Sequence, residues 1–248
     1  MIRTLLYFAL ACTPPANGHL NVDLNAIKIP KVQSEFDDTY TEDLDPYASR
    51  GLKVSYLSSV VIGIFTEMGQ IGGGSGNYFK MGKHRFIITA AHVVSDPTTE
   101  IVIMEKGGRQ TLADVVYLDQ EHDIAIVIPR ERLRYTKAIP FRRDINNQMG
   151  EPVYHCGHPA MTGWHISEGT LSGVREDTLM ANTFAWPGSS GSIVFDQSGR
   201  VIGVVSAIRL DHIGGIFPQF IEHIVLVSNI KMLDQAILKS VLRDAGGQ

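Results

Sequence analysis

The sequence predicts an all-β protein of two β units followed by one helix, and three observations carry that prediction. Short apolar runs recur at 60–65, 86–89, 101–104, 115–118, 124–128, 153–156, 193–195, 201–206 and 224–227, parted by Gly, Asp, Asn and Pro turns. No helical pattern falls between them, so antiparallel barrels or a sandwich are favoured over an alternating α/β sheet. The run is broken once, where Arg130, Arg132, Arg134, Lys137, Arg142 and Arg143 cluster without apolar alternation. That stretch, 131–147, reads as a solvated interdomain linker rather than a binding patch.

The units are placed accordingly at 56–130 and 148–228. Beyond them Ser228 precedes Ile230, Met232, Leu233, Ile237, Leu238, Val241 and Leu242, a helical spacing with an N-cap candidate at its start and Gly246 past its end. A terminal helix and tail are expected over 229–248. Upstream, 13–55 is acid-rich (Asp37, Asp38, Glu42, Asp43, Asp45) with Pro14, Pro15 and Pro30, and reads as a tether or pro-segment. Residues 1–12 combine Arg3, an apolar stretch and Ala9-Leu10-Ala11 before Cys12. They fit a short secretory signal, a lipoprotein signal acylated at Cys12, or an ordinary apolar segment. With a signal the protein would be secreted or in the cell envelope; without one it would be cytoplasmic or associated with a virion or host cell.

With 44% hydrophobic and 19% charged residues in 248, the chain holds enough apolar material for one large or two small cores. A net charge of −4 gives no basic excess for neutralising phosphates, so nucleic acid is not an expected partner. Two cysteines, Cys12 and Cys156, exclude a disulfide framework. Membrane association would require lipidation of Cys12.

Three segments carry chemistry. Pro187-Gly188-Ser189-Ser190-Gly191-Ser192 is a small-residue turn leading into the apolar strand at 193–195. It can present Ser190 at its tip while the N–H groups of Gly188 and Ser190 converge, although G-S-S-G-S is also linker composition. Phe86-Ile87-Ile88-Thr89 runs into Ala90-Ala91-His92, delivering a histidine at a strand end. Asp119-Gln120-Glu121-His122-Asp123 leads into 124–128; Asp123 adjoins the strand and is preferred to Asp119 as the partner of His92. A hydroxyl, a base and a carboxylate to orient the base are what amide hydrolysis by serine requires.

The order His, Asp, Ser and the wording F-I-I-T-A-A-H-V-V, H-D-I-A-I-V and P-G-S-S-G-S-I-V-F resemble trypsin-like serine proteases, in particular their short-loop HtrA-type and glutamyl endopeptidase branches. Flanking matches are Gly74-Ser75-Gly76, the strand and turn from Gly150 to Pro159, Ser167 to Gly173, Val201 to Ile208, and Val227-Ser228-Asn229. The resemblance covers roughly 56–242. It implies two antiparallel six-stranded β-barrels with the site between them, and His92, Asp123 and Ser190 as the triad with Gly188 and Ser190 forming the oxyanion hole. The implied activity is that of a serine endopeptidase with a protein or peptide substrate and no cofactor. Ser189 stands where digestive enzymes carry an aspartate, so activation by a newly cut N-terminus is not expected. The chain beyond the second barrel is too short for the peptide-binding domain that HtrA proteins append.

The resemblance places Phe184 at the base of the primary pocket, Ser206 and Ile208 along its wall and Gly214 and Gly215 opposite. All are uncharged, so a buried Lys or Arg of a substrate would lack a partner and an apolar residue is the expected target. His165 and His212 remain the histidines able to reach that pocket. His155, Cys156 and His158 look like metal ligands on paper, but neighbouring residues of a strand face opposite ways, and no metal site is expected. The alternative function is a catalytically silent relative whose cleft binds peptide or serves as an envelope module; intact His92, Asp123 and Ser190 argue against it.

Overall fold

Both faces of the central strands are buried, and this explains why their sequences are continuously apolar. In the computed structural model, which describes 44–213 and 217–245 apart from the side chains of 208–222, the first six strands close into a ring. They are β1 (Ser59–Thr66), β2 (Gly69–Met81), β3 (His84–Thr89), β4 (Glu100–Met104), β5 (Gln110–Asp119) and β6 (Ile124–Pro129), joined antiparallel in the order β1-β4-β5-β6-β3-β2 and back to β1. A two-residue strand, β7 (Ile139–Pro140), adds in parallel to β2. The second barrel comprises β8 (Pro152–Gly157), β9 (His165–Val174), β10 (Thr178–Asn182), β11 (Ile193–Asp196), β12 (Val201–Ile213) and β13 (Phe217–Asn229), in the order β10-β13-β12-β11-β8-β9. The fold is thus the expected pair of six-stranded barrels.

Alternation along β3 and β6 sorts residues between two cores. Ile87, Ala125 and Val127 fill the first barrel, whereas Phe86, Ile88, Ile124 and Ile126 face away from it. There they meet Ile193, Phe195, Val201 and Val204 of the second barrel. Leu238 and Leu242 of the terminal helix α3 (Gln235–Ala245) cover the same cluster. β11 alternates likewise, giving Val194 to the second barrel's own interior, and β12, whose register against β11 shifts opposite Val194 and Phe195, adds Ile202 and Val205 there.

A helix, α1 (Arg50–Ser58), spans the boundary drawn at 55 between tether and barrel. The Ser49 hydroxyl caps it by accepting the Leu52 N–H at 3.1 Å. Gly51 permits its approach to the second barrel, since a Cβ there would lie 2.1 Å from the Asp196 carbonyl oxygen. At the other end Lys106 donates to the Tyr56 carbonyl at 2.6 Å and sits 4.3 Å over the Tyr56 ring; burial pushes this ammonium down to about 8. The signal segment 1–12, the tether over 13–43, and Gly214 and Gly215 lie outside the described residues. Among the described residues no helix is long and apolar enough to cross a membrane.

The basic linker is fastened to the protein. The buried Glu105 carboxylate accepts the N–H groups of Tyr135 and Thr136 at 2.6 and 2.9 Å, while Leu133 and Ile139 are buried. Arg143 donates to the Leu233 carbonyl and Asp144 pairs with Arg200.

Asn77 of β2 joins three elements. Its amide nitrogen donates to the Ser55 carbonyl at 3.0 Å and the Ser58 hydroxyl at 2.8 Å, and its oxygen accepts the Ile193 N–H at 3.0 Å. Asn77→Ala leaves buried groups on α1 and β11 unpaired and is expected to cost about 2–3 kcal/mol, read as a lower urea midpoint with an unchanged m-value; a loss below about 0.5 kcal/mol would show the bridge to be dispensable.

Candidate active site

β3 ends at Thr89, Ala90 is extended, and one helical turn, α2 (Ala91–Val94), carries His92. Asp123 closes the turn before β6 with φ +54, a left-handed conformation that aspartate tolerates better than most residues. Its Oδ1 accepts the His92 backbone N–H at 2.9 Å, and the His92 Nδ1 lies 3.0 and 2.9 Å from Oδ1 and Oδ2. The Ser206 hydroxyl from β12 also donates to Oδ2. A carboxylate facing Nδ1 fixes the proton there and leaves Nε2 with its lone pair. Nε2 has no partner among the described residues, and the imidazole is partly open to solvent.

Asp119, the carboxylate at the other end of the same turn, pairs instead with His122: Oδ1 accepts its N–H at 3.0 Å and Oδ2 lies 2.8 Å from Nδ1. Burial by itself raises the Asp119 carboxyl, but the His122 backbone N–H and ring outweigh it and hold the group below its usual range.

Ser190 sits in a loop held from several sides. Within it Ser189 N–H donates to the Trp186 carbonyl at 2.8 Å and Ser192 N–H to the Ser189 carbonyl at 3.0 Å. The Ser190 carbonyl accepts the Ser75 N–H at 2.7 Å, and Gly191 N–H donates to Val205 at 2.7 Å. Gly191, at φ +87, could carry no side chain, because a Cβ would lie 2.2 Å from both the Ser75 oxygen and Thr89 Oγ1 and 3.0 Å from Ala90 N. A Cβ on Gly74 would touch both the Ser190 carbonyl and Val93, each at 2.8 Å. These contacts set the Ser190 loop against both flanks of His92. Gly188, at φ +102, and Ser190 both keep backbone N–H groups without acceptors among the described residues.

The remaining candidates divide. Phe184 is 40% exposed, and its carbonyl accepts from His155 Nε2 at 3.0 Å. Ser206, expected along the pocket wall, commits its hydroxyl to Asp123; only its distance in sequence from Asp123 hid that link. Ile208 and His212 lie on β12, where side chains are not described. His165 is exposed and its Nε2 lies 3.3 Å from Thr162 Oγ1.

His155 and His158 are not poised for metal. His155 Nδ1 lies 3.2 Å from Ser192 Oγ, while His158 faces the Gly163 carbonyl at 3.1 Å and Ser59 Oγ at 3.2 Å. Desolvation pushes His155 down to about 4 and His158 to about 3, and pushes the buried Cys156 thiol up to about 11. Among the described residues no group of His, Cys, Asp and Glu is arranged to hold a metal ion.

The trypsin-like peptidase domain family matches residues 74–204, more than half of the chain, and the protein belongs to that family. It is 29% identical over 141 residues to the probable periplasmic serine endoprotease DegP-like of Bartonella henselae, covering 54% of this chain and 28% of that protein. It is 27% identical over 180 residues to Protease Do-like 1, chloroplastic, of Arabidopsis thaliana, covering 60% and 40% respectively. The chain therefore spans well under half the length of either relative. Among solved structures, the serine endoprotease from Yersinia pestis matches with a TM-score of 0.61 at 19% identity, covering 79% of this chain and 66% of that one. The HtrA-type protease AlgW with tripeptide matches at 0.62 and 21%, covering 79% and 63%. These two likenesses concern the fold.

The neutral histidines make stability acid-sensitive. The unfolded chain takes up protons near the ordinary value of about 6.5, whereas the folded rings resist until well below it. The unfolded state thus binds more protons as pH falls from about 6.5 to about 4, and stability drops by up to about 1.4 kcal/mol per pH unit for each ring. Urea melts of His155→Gln are expected to lose less stability than wild type between about pH 6.5 and 4.5; parallel declines would contradict a neutral His155.

Proposed function

We propose that the protein is a serine endopeptidase in which Ser190 is the nucleophile, His92 the general base and Asp123 the group that orients and stabilises the histidine. The observation that carries this reading is the His92–Asp123 pair, which occupies Nδ1 at 2.9 Å and leaves Nε2 without a partner among the described residues, while Gly191, next to Ser190, packs against Thr89 and Ala90 just before the histidine. Nε2 takes the Ser190 proton as the oxygen attacks a scissile carbonyl, and later returns it to the leaving amine. Asp123 stabilises the imidazolium, and Ser206, by donating to the same carboxylate, keeps it turned toward the ring. The N–H groups of Gly188 and Ser190 receive the oxyanion. Water then hydrolyses the acyl-enzyme.

The chain would act on protein or peptide substrates with an apolar residue before the cut. Phe184, Ile208 and Gly215, assigned to the pocket by family resemblance, offer no counter-charge to a buried Lys or Arg.

Hydrolysis of an unfolded protein substrate tests both statements. Ser190→Ala and His92→Ala are each expected to lose activity by about 10^4-fold or more, and Asp123→Asn by about 10^4-fold through the wrong histidine tautomer. Residual turnover by Ser190→Ala close to wild type would refute the triad. Sequenced product ends are expected to show apolar residues at the cut, and a majority of cuts after Lys or Arg would refute the pocket assignment.

A further inference from the structure

Gly188 poses a problem for an oxyanion hole. Its N–H must point steadily at one place, yet a glycine at φ +102 has no side chain to restrain rotation about its own bonds. A Cβ cannot be supplied, because it would lie 2.4 Å from the His158 carbonyl oxygen. The restraint comes from hydrogen bonds on the two flanking peptide planes. Upstream, the Pro187 carbonyl accepts the Ala160 N–H at 2.7 Å, so the trans peptide turns the Gly188 N–H the opposite way. Downstream, the Gly188 carbonyl accepts the Ser75 hydroxyl at 2.7 Å.

Ser75 unites these restraints. It lies on β2 of the other barrel and is fully buried. Besides donating to Gly188, its Oγ accepts the His158 N–H at 3.0 Å, from the same turn that carries Ala160. Its N–H donates to the Ser190 carbonyl at 2.7 Å, and its own carbonyl accepts from Thr89 Oγ1 at 2.7 Å, at the end of the strand that delivers His92. One residue therefore links the nucleophile, the oxyanion glycine, the turn behind it and the histidine strand.

We infer that Ser75 is a positioning residue for the reaction, whose hydroxyl fixes the Gly188–Ser189 peptide through the Gly188 carbonyl and, through the His158 N–H, the turn whose Ala160 holds the Pro187 carbonyl, so that the Gly188 N–H keeps the orientation that receives the oxyanion. This rests on the peptidase reading above. Ser75→Ala keeps the backbone bonds and removes only the two made by Oγ. Because the oxyanion forms only in the transition state, the loss falls on kcat and not on KM. Removing an oxyanion donor outright costs about 10^2- to 10^3-fold; loosening one is expected to lower kcat about 10- to 100-fold with KM within about threefold. Affinity for a peptide boronic acid, which mimics the tetrahedral state, is expected to fall in step.

Ser58→Ala is the matched control. Ser58 is equally buried, and its Oγ also donates one bond, to the Val54 carbonyl, and accepts one, from Asn77, but on α1 away from the Ser190 loop. It is expected to lower the melting temperature while leaving kcat within about twofold of wild type. Equal kcat in the two variants, or a Ser75→Ala defect confined to KM, overturns the inference. Should Ser75→Ala not fold, Ser75→Cys, of similar size with a weaker donor, is expected to show a reduced kcat; a wild-type kcat there also overturns it. A folded wild type without hydrolytic activity overturns the peptidase reading and this one together, whereas an active wild type with an unaffected Ser75→Ala overturns only this one.

Discussion

The proposed site depends on the register between two barrels. His92 and Asp123 belong to the first, Ser190 and Ser206 to the second, so neither barrel alone brings these four residues together. Packing at the cluster of Phe86, Ile88, Ile124, Phe195 and Val204 supplies cohesion, but apolar contact is non-directional and does not by itself set position to a fraction of an ångström. Direction comes from buried hydrogen bonds across the junction, chiefly from β2: Ser75 to Gly188 and Ser190, and Asn77 to Ile193. Each is a group that water cannot replace once buried, which makes any other register costly.

The polar groups set into this junction are kept uncharged or shared. His155 and His158 lie buried under the Ser190 loop and its neighbouring turn, held neutral by desolvation. Each faces a backbone carbonyl and a serine hydroxyl. Histidines in such positions brace loops without bringing charge near the His92–Asp123 pair. The buried Lys106 ammonium is satisfied by the carbonyls of Tyr56 and Ser59 at 2.6 and 3.4 Å and by aromatic faces.

The parts legible in the sequence were those written in local pattern. Phe86-Ile87-Ile88 and Ile124-Ala125-Ile126 announce strands buried on both faces, and the turns at Asp119 and Gly188 stand directly before such strands. The rest depends on contacts distant in sequence. Ser206 reads as pocket lining until β12 brings it to Asp123, 83 residues away. Ser75 was visible only as the middle of a G-S-G turn, because its hydroxyl bonds span 113 and 83 residues. Helix α1 was obscured by its composition: Gly51, Ser55 and Ser58 are poor signals for a buried helical face, yet they are what lets the helix lie against Asp196 and donate to its own carbonyls. The basic linker reads as a solvated connection, and Arg130, Arg132 and Arg134 are exposed, but nothing in its own sequence reveals the Glu105 carboxylate beneath it.

The proposed chemistry requires that Ser190 be activated by His92 in the folded protein. A fluorophosphonate probe followed by mass spectrometry measures this directly. One adduct, on a peptide containing Ser190 and lost in both Ser190→Ala and His92→Ala, is the expected result; a folded protein that takes no adduct at Ser190, or takes it equally without His92, would contradict the account.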